Sequence, residues 1–519
     1  MLRTLGDADP RVRATAGTGV ATLLMASSHS TWPEFAPAIM EGLSSHDLNR
    51  VHGSVGAVTK AVEDAYSNLF KPEISSLVPR LIELSGTSPM AEVRARCLDA
   101  ILQLLIHMPA SLKSNIEAFL HVLFQLSEHD HDVEVKKRIL SSLVLMVELQ
   151  LSVLMPYMPS IVQYMLAMSN DNDVDLAIEA TEFWITCCDG PGGSEFPMFV
   201  QPLLPALVPV LLKNMMYSDD ELMILDTDDS NENEPDNDSD IKPHFHNSRS
   251  ALTGHSSAAD DDNDDDYDDD DDADDPVDYS GEWTLRKCSA ASLDALSTAF
   301  ENDILPFVLP VVQQMLASSD WKHREAAILA IGAVSTGCLE GMQSYLSQLL
   351  PYLVQQLGDS TALVRSITCW TLGRYSLWAC TDSNPKLYFE PMLAGILPRV
   401  LDGNKEVQKA ACSAVSTILD AADKDIEPYM HHFINAFIVA IRKYQRRNFS
   451  VLLDCIVTFI ERVGDAIQHA GGINELTPLI VETLQQTPSD SRDIIGILEV
   501  LTALSSNLKL DFQPYAPLM

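Results

Sequence analysis

The sequence predicts an all-α protein: a right-handed superhelical solenoid of two-helix repeats, interrupted by one long, disordered acidic insertion. Three observations carry the prediction. Outside residues 219–278 nearly every segment places apolar residues at i, i+3, i+4 and i+7, with very few strand-like alternations, which is the signature of helices burying one face. The pattern recurs about every 40 residues, and such a period marks stacked repeats. One window of 60 residues breaks it with a composition that cannot pack.

The segments VPRLIELSG, FLHVLFQLSE, LVPVLLKNMM, VLPVVQQMLAS and LLPYLVQQLGD read as the first helices of successive repeats. Each is followed by a turn rich in Asp, Ser or Asn. A second helix then opens with an apolar residue and often a basic one, as in DPRVRATA, MAEVRARCLDA, DVEVKKRIL, TALVRSITCW and NKEVQKAACSA. Anchors Val12, Val51, Val93, Val135 and Leu176 are 39, 42, 42 and 41 residues apart, and Leu285, His323, Val364 and Val407 are 38, 41 and 43 apart. Two helical runs per period favour HEAT repeats over three-helix armadillo units. The helices of such a pair cannot bury their apolar face alone and must stack on their neighbours. The step from Leu176 to Leu285 is 109 residues, so the insertion is expected to join the two helices of a single repeat. Pro33, Pro72, Pro156, Pro202, Pro306, Pro351 and Pro428 are read as first-turn prolines of first helices. The chain opens inside a second helix and stops at QPYAPLM, early in a first helix. It is expected to be a fragment of a longer solenoid, divided into residues 1–218, an acidic loop at 219–280, and residues 281–519.

Formal net charge is −40, from 74 acidic against 34 basic residues. Residues 219–278 hold 25 acids and two bases, and Asp260 to Asp278 holds 14 acids in 19 positions. Like-charge repulsion at that density opposes folding. An acidic surface argues against nucleic acid, which needs surplus Lys and Arg, and favours basic partners. The nine cysteines are scattered through apolar runs and read as reduced core thiols of a soluble intracellular protein. Ile139 to Met168 is broken by Glu148, Gln150, Pro156 and Pro159, so no membrane insertion is expected. GxxxxGK[ST], HExxH, GxSxG, GxGxxG and CxxC do not occur, leaving no common catalytic signature. His244-Phe245-His246 is a weak metal pair without further ligands, and no enzyme, cofactor or metal is expected.

Second helices of a HEAT solenoid line its concave face, so i, i+3/i+4, i+7 rows on them present a stripe. Ala291 and Asp294 lie on one helix and Leu329 in the apolar run of the next. Ile367, Trp370 and Arg374 follow, then Ser413, Thr417 and Asp420, then Asp454, Thr458 and Glu461. An extended peptide crossing them could offer Arg or Lys to the carboxylates and an apolar side chain to Ile367 and Trp370. Each residue alone fits a core or solvated position equally well; the argument is their alignment.

SDDELMILDTDD with DSDIKPHFHNSRS, the poly-Asp run, EWTLRKCSAASLDAL, ALVRSITCWTLGRY, DGNKEVQKAACSAVSTIL and KYQRRNFSVLLD together resemble the importin-β (karyopherin-β) superfamily of nuclear import receptors. The resemblance covers essentially the whole chain and is weaker before Asp219. It implies a monomeric receptor that shuttles between cytoplasm and nucleus. Such a receptor takes cargo signals of the basic-then-Pro-Tyr type on the stripe residues named above, and it binds Phe-Gly nucleoporins in grooves between first helices. It also implies that Ran-GTP binds the N-terminal repeats and drives release through the acidic loop. That loop is carried here by Asp260, Asp261, Asp262, Asp264, Asp265, Asp266, Asp268, Asp269, Asp270, Asp271, Asp272, Asp274 and Asp275. Asp420 stands where the family has Glu, and Glu461 where it has Asp. The alternatives on the residues themselves are a HEAT scaffold for folded partners and an acidic chaperone for basic proteins such as histones and ribosomal proteins.

Overall fold

The structure is a computed structural model that describes the chain except residues 27–31, 33, 67–70, 190–195, 226–229, 237–282, 382–384, 489–490 and 519. The poly-Asp run and the His244/His246 pair fall outside the described residues. Those residues form helices and no strands, divided into two compact units, Met1–Leu203 and Leu204–Met519.

The first unit opens with α1 (Pro10–Ala26), a second helix. Helix pairs follow: α2 (Phe35–Leu43) with α3 (Leu48–Ala65), α4 (Lys71–Thr87) with α5 (Ala91–His107), α6 (Ala110–His129) with α7 (Val133–Leu154), and α8 (Met158–Ser169) with α9 (Val174–Asp189). The short α10 (Pro197–Val200) ends the unit. Second helices stack in sequence, α1 on α3, α3 on α5, α5 on α7 and α7 on α9, each backed by its own first helix where one precedes it. The turn residues foreseen as punctuation cap the second helices: Asp47 accepts from Asn49 N–H at 3.0 Å and Asp132 from Val135 N–H at 3.1 Å. Such caps satisfy amides that the helix leaves open. Leu81, Leu98 and Phe119 are fully buried, each burial contributing about 1.5–3 kcal/mol. Close stacking of α3 requires glycine at 53, where a Cβ would fall 1.9 Å from the Leu5 carbonyl oxygen.

The second unit begins with α11 (Leu204–Asn214) and the short α12 (Asp219–Ile224). It continues through α13 (Leu285–Phe300), α14 (Leu305–Leu316), α15 (Trp321–Ala333), α16 (Leu339–Gln356), α17 (Ala362–Arg374), α18 (Ser376–Thr381), α19 (Phe389–Ile396) and α20 (Lys405–Ala422). The last helices are α21 (Met430–Lys443), α22 (Arg446–Val463), α23 (Ile473–Gln486) and α24 (Asp493–Leu508). Helix α11 packs on α13 and α14. The unit starts at Leu204, the first residue of α11. Second helices α13, α15, α17, α20, α22 and α24 again stack in order.

Of the prolines expected in first turns, Pro72 is the second residue of α4 and Pro156 lies in the 3-10 turn before α8, while Pro33 lies outside the described residues. Pro306 opens α14, but Pro351 lies well inside α16, as Pro79, Pro209, Pro310 and Pro478 lie inside α4, α11, α14 and α23. Each removes one backbone hydrogen bond. The stretches Val133–Ser169, Pro197–Met223 and Leu285–Leu316 are long and apolar enough to cross a membrane by length and composition. In Val133–Ser169 a 3-10 turn at Met155–Tyr157 separates α7 from α8, and Ile139, Met146, Ile161 and Met165 are buried in the unit.

Arginine ties neighbouring second-helix turns together. Arg94 donates to the Ser88 carbonyl of its own turn at 2.9 Å and to the Asp130 carboxylate of the next turn at 2.7 Å. Arg324 does the same with the Ser318 and Ser319 carbonyls and Asp359, the last at 2.8 Å. Arg365 repeats it with the Asp359 and Ser360 carbonyls and both Asp402 oxygens. Burial would raise the carboxyls of Asp130 and Asp359. The guanidinium and backbone N–H donors around each outweigh it and hold both below the usual range.

Candidate peptide-binding face

Ten of the twelve stripe residues are at least partly accessible on the second helices of the second unit. Asp294 on α13 faces Arg374 on α17, with 3.7 Å between charged atoms. Arg374 lies over the Trp370 ring, its guanidinium carbon 5.6 Å from the centroid, and donates to Ser335 Oγ at 3.0 Å and Thr336 Oγ1 at 2.6 Å. A guanidinium above an indole face is held by the ring's negative π surface. Trp370 is half-buried against α15, where its ring occupies the space beside Gly332. Thr371 and Tyr375 fix α17 there by donating to the Ile328 and Ile331 carbonyls at 3.0 and 2.8 Å.

On α20, Ser413 and Thr417 are half-buried and Asp420 is exposed. Asp420 accepts from Arg462 Nε of α22 at 2.8 Å. On α22, Asp454 and Glu461 are exposed, Thr458 is half-buried, and its hydroxyl bonds back to the Asp454 carbonyl at 3.0 Å. The face thus presents carboxylates, hydroxyls and one aromatic–guanidinium pair, a chemistry that suits an extended basic chain.

Leu329 and Ile367 are corrections. Leu329 is 0% and Ile367 4% exposed, so neither offers accessible surface. Both helices are wrapped beyond a simple amphipathic stripe, because each touches a first helix and two neighbouring second helices; every residue of α15 from Glu325 to Ala333 is buried. Ser335, Thr336 and Arg462 were not foreseen. Ser335 and Thr336 lie just past the end of α15, where helical spacing no longer assigns a face. Arg462 neighbours Glu461 and reads as ordinary surface charge.

All nine cysteines are free and seven are buried, as expected for core thiols. Burial pushes the Cys412 and Cys338 thiols up to about 12, far from the reactive thiolate range. Among the described residues no group of three or more His, Cys, Asp or Glu could hold a metal.

Paired helices repeating every 40 residues, tied by turn arginines and stacked through their second helices, define a HEAT-repeat solenoid, and the HEAT-like repeat family matches residues 321–375. Its fold is that of importin-β: the structure of yeast importin-β (Kap95p) superposes with a TM-score of 0.77 at 18% identity, covering 99% of this chain and 58% of that one. Structures of Kap95p with RanGDP and with Nup1 share it at TM-scores of 0.73 and 0.74. The sequence places it more finely. Mouse transportin-1 is 35% identical over 99% of this chain and 57% of its own length, and importin subunit beta-2 of Schizosaccharomyces pombe is 35% identical over 99% and 58%. Along nearly its whole length the chain is thus similar to transportin-1 and importin subunit beta-2, and it spans less than three-fifths of the length of these relatives.

Proposed function

We propose that this stretch of chain is the signal-binding part of a non-catalytic nuclear import receptor that shuttles between cytoplasm and nucleus as a monomer. The observation that carries the reading is the row of Asp294, Trp370, Arg374, Ser413, Thr417, Asp420, Asp454, Thr458 and Glu461 on consecutively stacked helices of a transportin homologue. A basic-then-Pro-Tyr signal would run across these helices, its Arg or Lys groups on Asp454, Glu461 and Asp420 and its aromatic end near Trp370. Arg462, paired with Asp420, must yield or be shared when a basic residue arrives.

Ran-GTP is the proposed release partner, acting at the N-terminal repeats and through the acidic run from Asp260 to Asp275. Added binding energy at one site at the expense of the other is reciprocal in affinity. Phe-Gly nucleoporins are the proposed pore partners. A hollow of about 270 Å³ between first helices α6 and α8, lined by Phe124, Tyr157, Ile161 and Tyr164, suits a Phe side chain.

The test is fluorescence anisotropy of a labelled basic/Pro-Tyr peptide at physiological salt, with Trp370→Ala and Asp454→Ala beside the wild type. Saturable binding weakened in both variants is expected. Equal binding by all three would sink the assignment. Deleting 260–278 separates the readings: a receptor keeps its cargo and loses Ran-driven release, whereas an acidic chaperone loses its basic clients.

A further inference from the structure

The arginine tie between successive turns is absent at the joint between α20 and α22. Where Arg365 follows Val364 at the start of α17, Gln408 follows Val407 in α20. Gln408 keeps the bond to its own turn, donating to the Asp402 carbonyl at 2.7 Å, but it brings no charge. The next turn offers Tyr444 and Gln445 in place of an aspartate. Asn448 bridges the joint instead, donating to the Lys405 carbonyl and Gln408 Oε1 at 2.6 and 3.2 Å, and Arg447 pairs with Glu406.

A distant piece of the chain is bound across this joint. Asn231 and Glu232 N–H both donate to the Gly403 carbonyl at 3.0 Å, and Asn231 Oδ1 accepts from Lys405 N–H at 2.8 Å. Lys405 Nζ donates to the Glu234 carbonyl at 2.6 Å and to Asp236 Oδ1 at 2.5 Å. The other Asp236 oxygen accepts from Arg447 N–H at 2.8 Å. Gln445 donates to the Glu232 carbonyl at 3.1 Å and accepts from Asp236 N–H at 3.2 Å, while Glu232 pairs with Lys443. Asn231 is 2% exposed, and the side chains of Asp236 and Lys405 are 5% and 8% exposed. This is a built site, with charge-assisted bonds shielded from water.

We propose that the edge formed by Gly403, Lys405, Lys443, Gln445 and Arg447 is a docking site for an acidic peptide segment, occupied by this chain's own Asn231–Asp236. The docked segment supplies the carboxylate that the repeat pattern lacks, running from the turn before α20 to the start of α22. It is a separable clasp on that joint: its undocking frees the joint without unfolding the repeats, and an identical segment added in trans takes its place. The inference stands on these contacts alone and is independent of the signal-binding reading.

Hydrogen exchange on the full chain tests it. Asn231 and Glu232 lie in no helix, and the amides of Lys405 and Arg447 sit in first turns where no helical carbonyl reaches them. Protection of all four in the wild type, lost roughly tenfold or more in Asn231→Ala/Asp236→Ala and in Lys405→Gln, with Thr361 unchanged as the control amide, is the expected result. A labelled peptide SNENEPD should bind saturably to the double variant and not to the wild type. Unprotected Asn231 and Glu232 amides in the wild type overturn docking, whatever the variants do. A double variant that retains Thr361 protection but does not bind the peptide overturns the site's acceptance of a segment in trans.

Discussion

Removing Arg365 should open the joint between α17 and α20. Its side chain is 9% exposed and that of Asp402 4%. It donates to both Asp402 oxygens at 3.1 and 2.9 Å and to the Asp359 and Ser360 carbonyls at 2.9 and 3.0 Å. Deleting one partner of a buried pair costs about 3–5 kcal/mol when the other charge is stranded. Asp402 is not wholly stranded, because Arg399 at 2.8 Å and Asn404 N–H at 3.1 Å remain. An expected loss of about 2–3 kcal/mol for Arg365→Ala follows from that discount. The exposed Arg462–Asp420 pair is the internal reference, with side chains 46% and 51% exposed, and Arg462→Ala should lose less than about 1 kcal/mol. A long repeat array need not unfold in one step. The assay is therefore hydrogen exchange at the α17–α20 turns, read beside urea denaturation. A loss for Arg365→Ala no larger than for Arg462→Ala would refute the argument that these turn arginines hold neighbouring repeats together.

Four further outcomes are expected. Asp130 and Asp359 have lowered folded-state pKa values, so their stabilisation is present above the unfolded value of about 3.8 and disappears as pH falls through the lowered values; an acid titration of Arg94→Ala should be flatter below pH 4 than that of the wild type. Burial pushes Cys380 to about 11 and Cys188 to about 12, so a disulfide-exchange reagent at pH 8 should label the native chain slowly and all nine thiols rapidly in denaturant. Gly332→Ala would place a Cβ 2.2 Å from the Trp370 ring, so it should shift the indole's fluorescence and weaken the proposed peptide binding while leaving overall helicity intact by circular dichroism. Glu301, Asp423 and Lys509 directly follow α13, α20 and α24 at φ of 47°, 46° and 53°, where Gly464 follows α22 at 58°; Asp423→Gly should therefore stabilise the chain by up to about 1 kcal/mol in denaturant melts.

Much of the architecture was legible because a repeat is written in local order. Apolar spacing, turn aspartates and the second-helix basic residue recur wherever a helix pair must cap its turn and bury a face. Anchors from Val12 to Val407 accordingly mark real second helices. The same locality explains the polar row, since Asp454, Thr458 and Glu461 share a helix face by spacing alone. What spacing could not decide is how completely a helix is wrapped by its neighbours. Leu329 and Ile367 look like any other stripe residue in the sequence, yet contact from three sides removes them from the surface. Nor could local order show that Arg94 and Arg365 reach carboxylates 36 and 37 residues away, or that Asn231 and Lys405, 174 residues apart, meet. Helical period is a property of neighbours along the chain; burial and charge pairing are set by neighbours in space, and only the stacked repeats determine which residues those are.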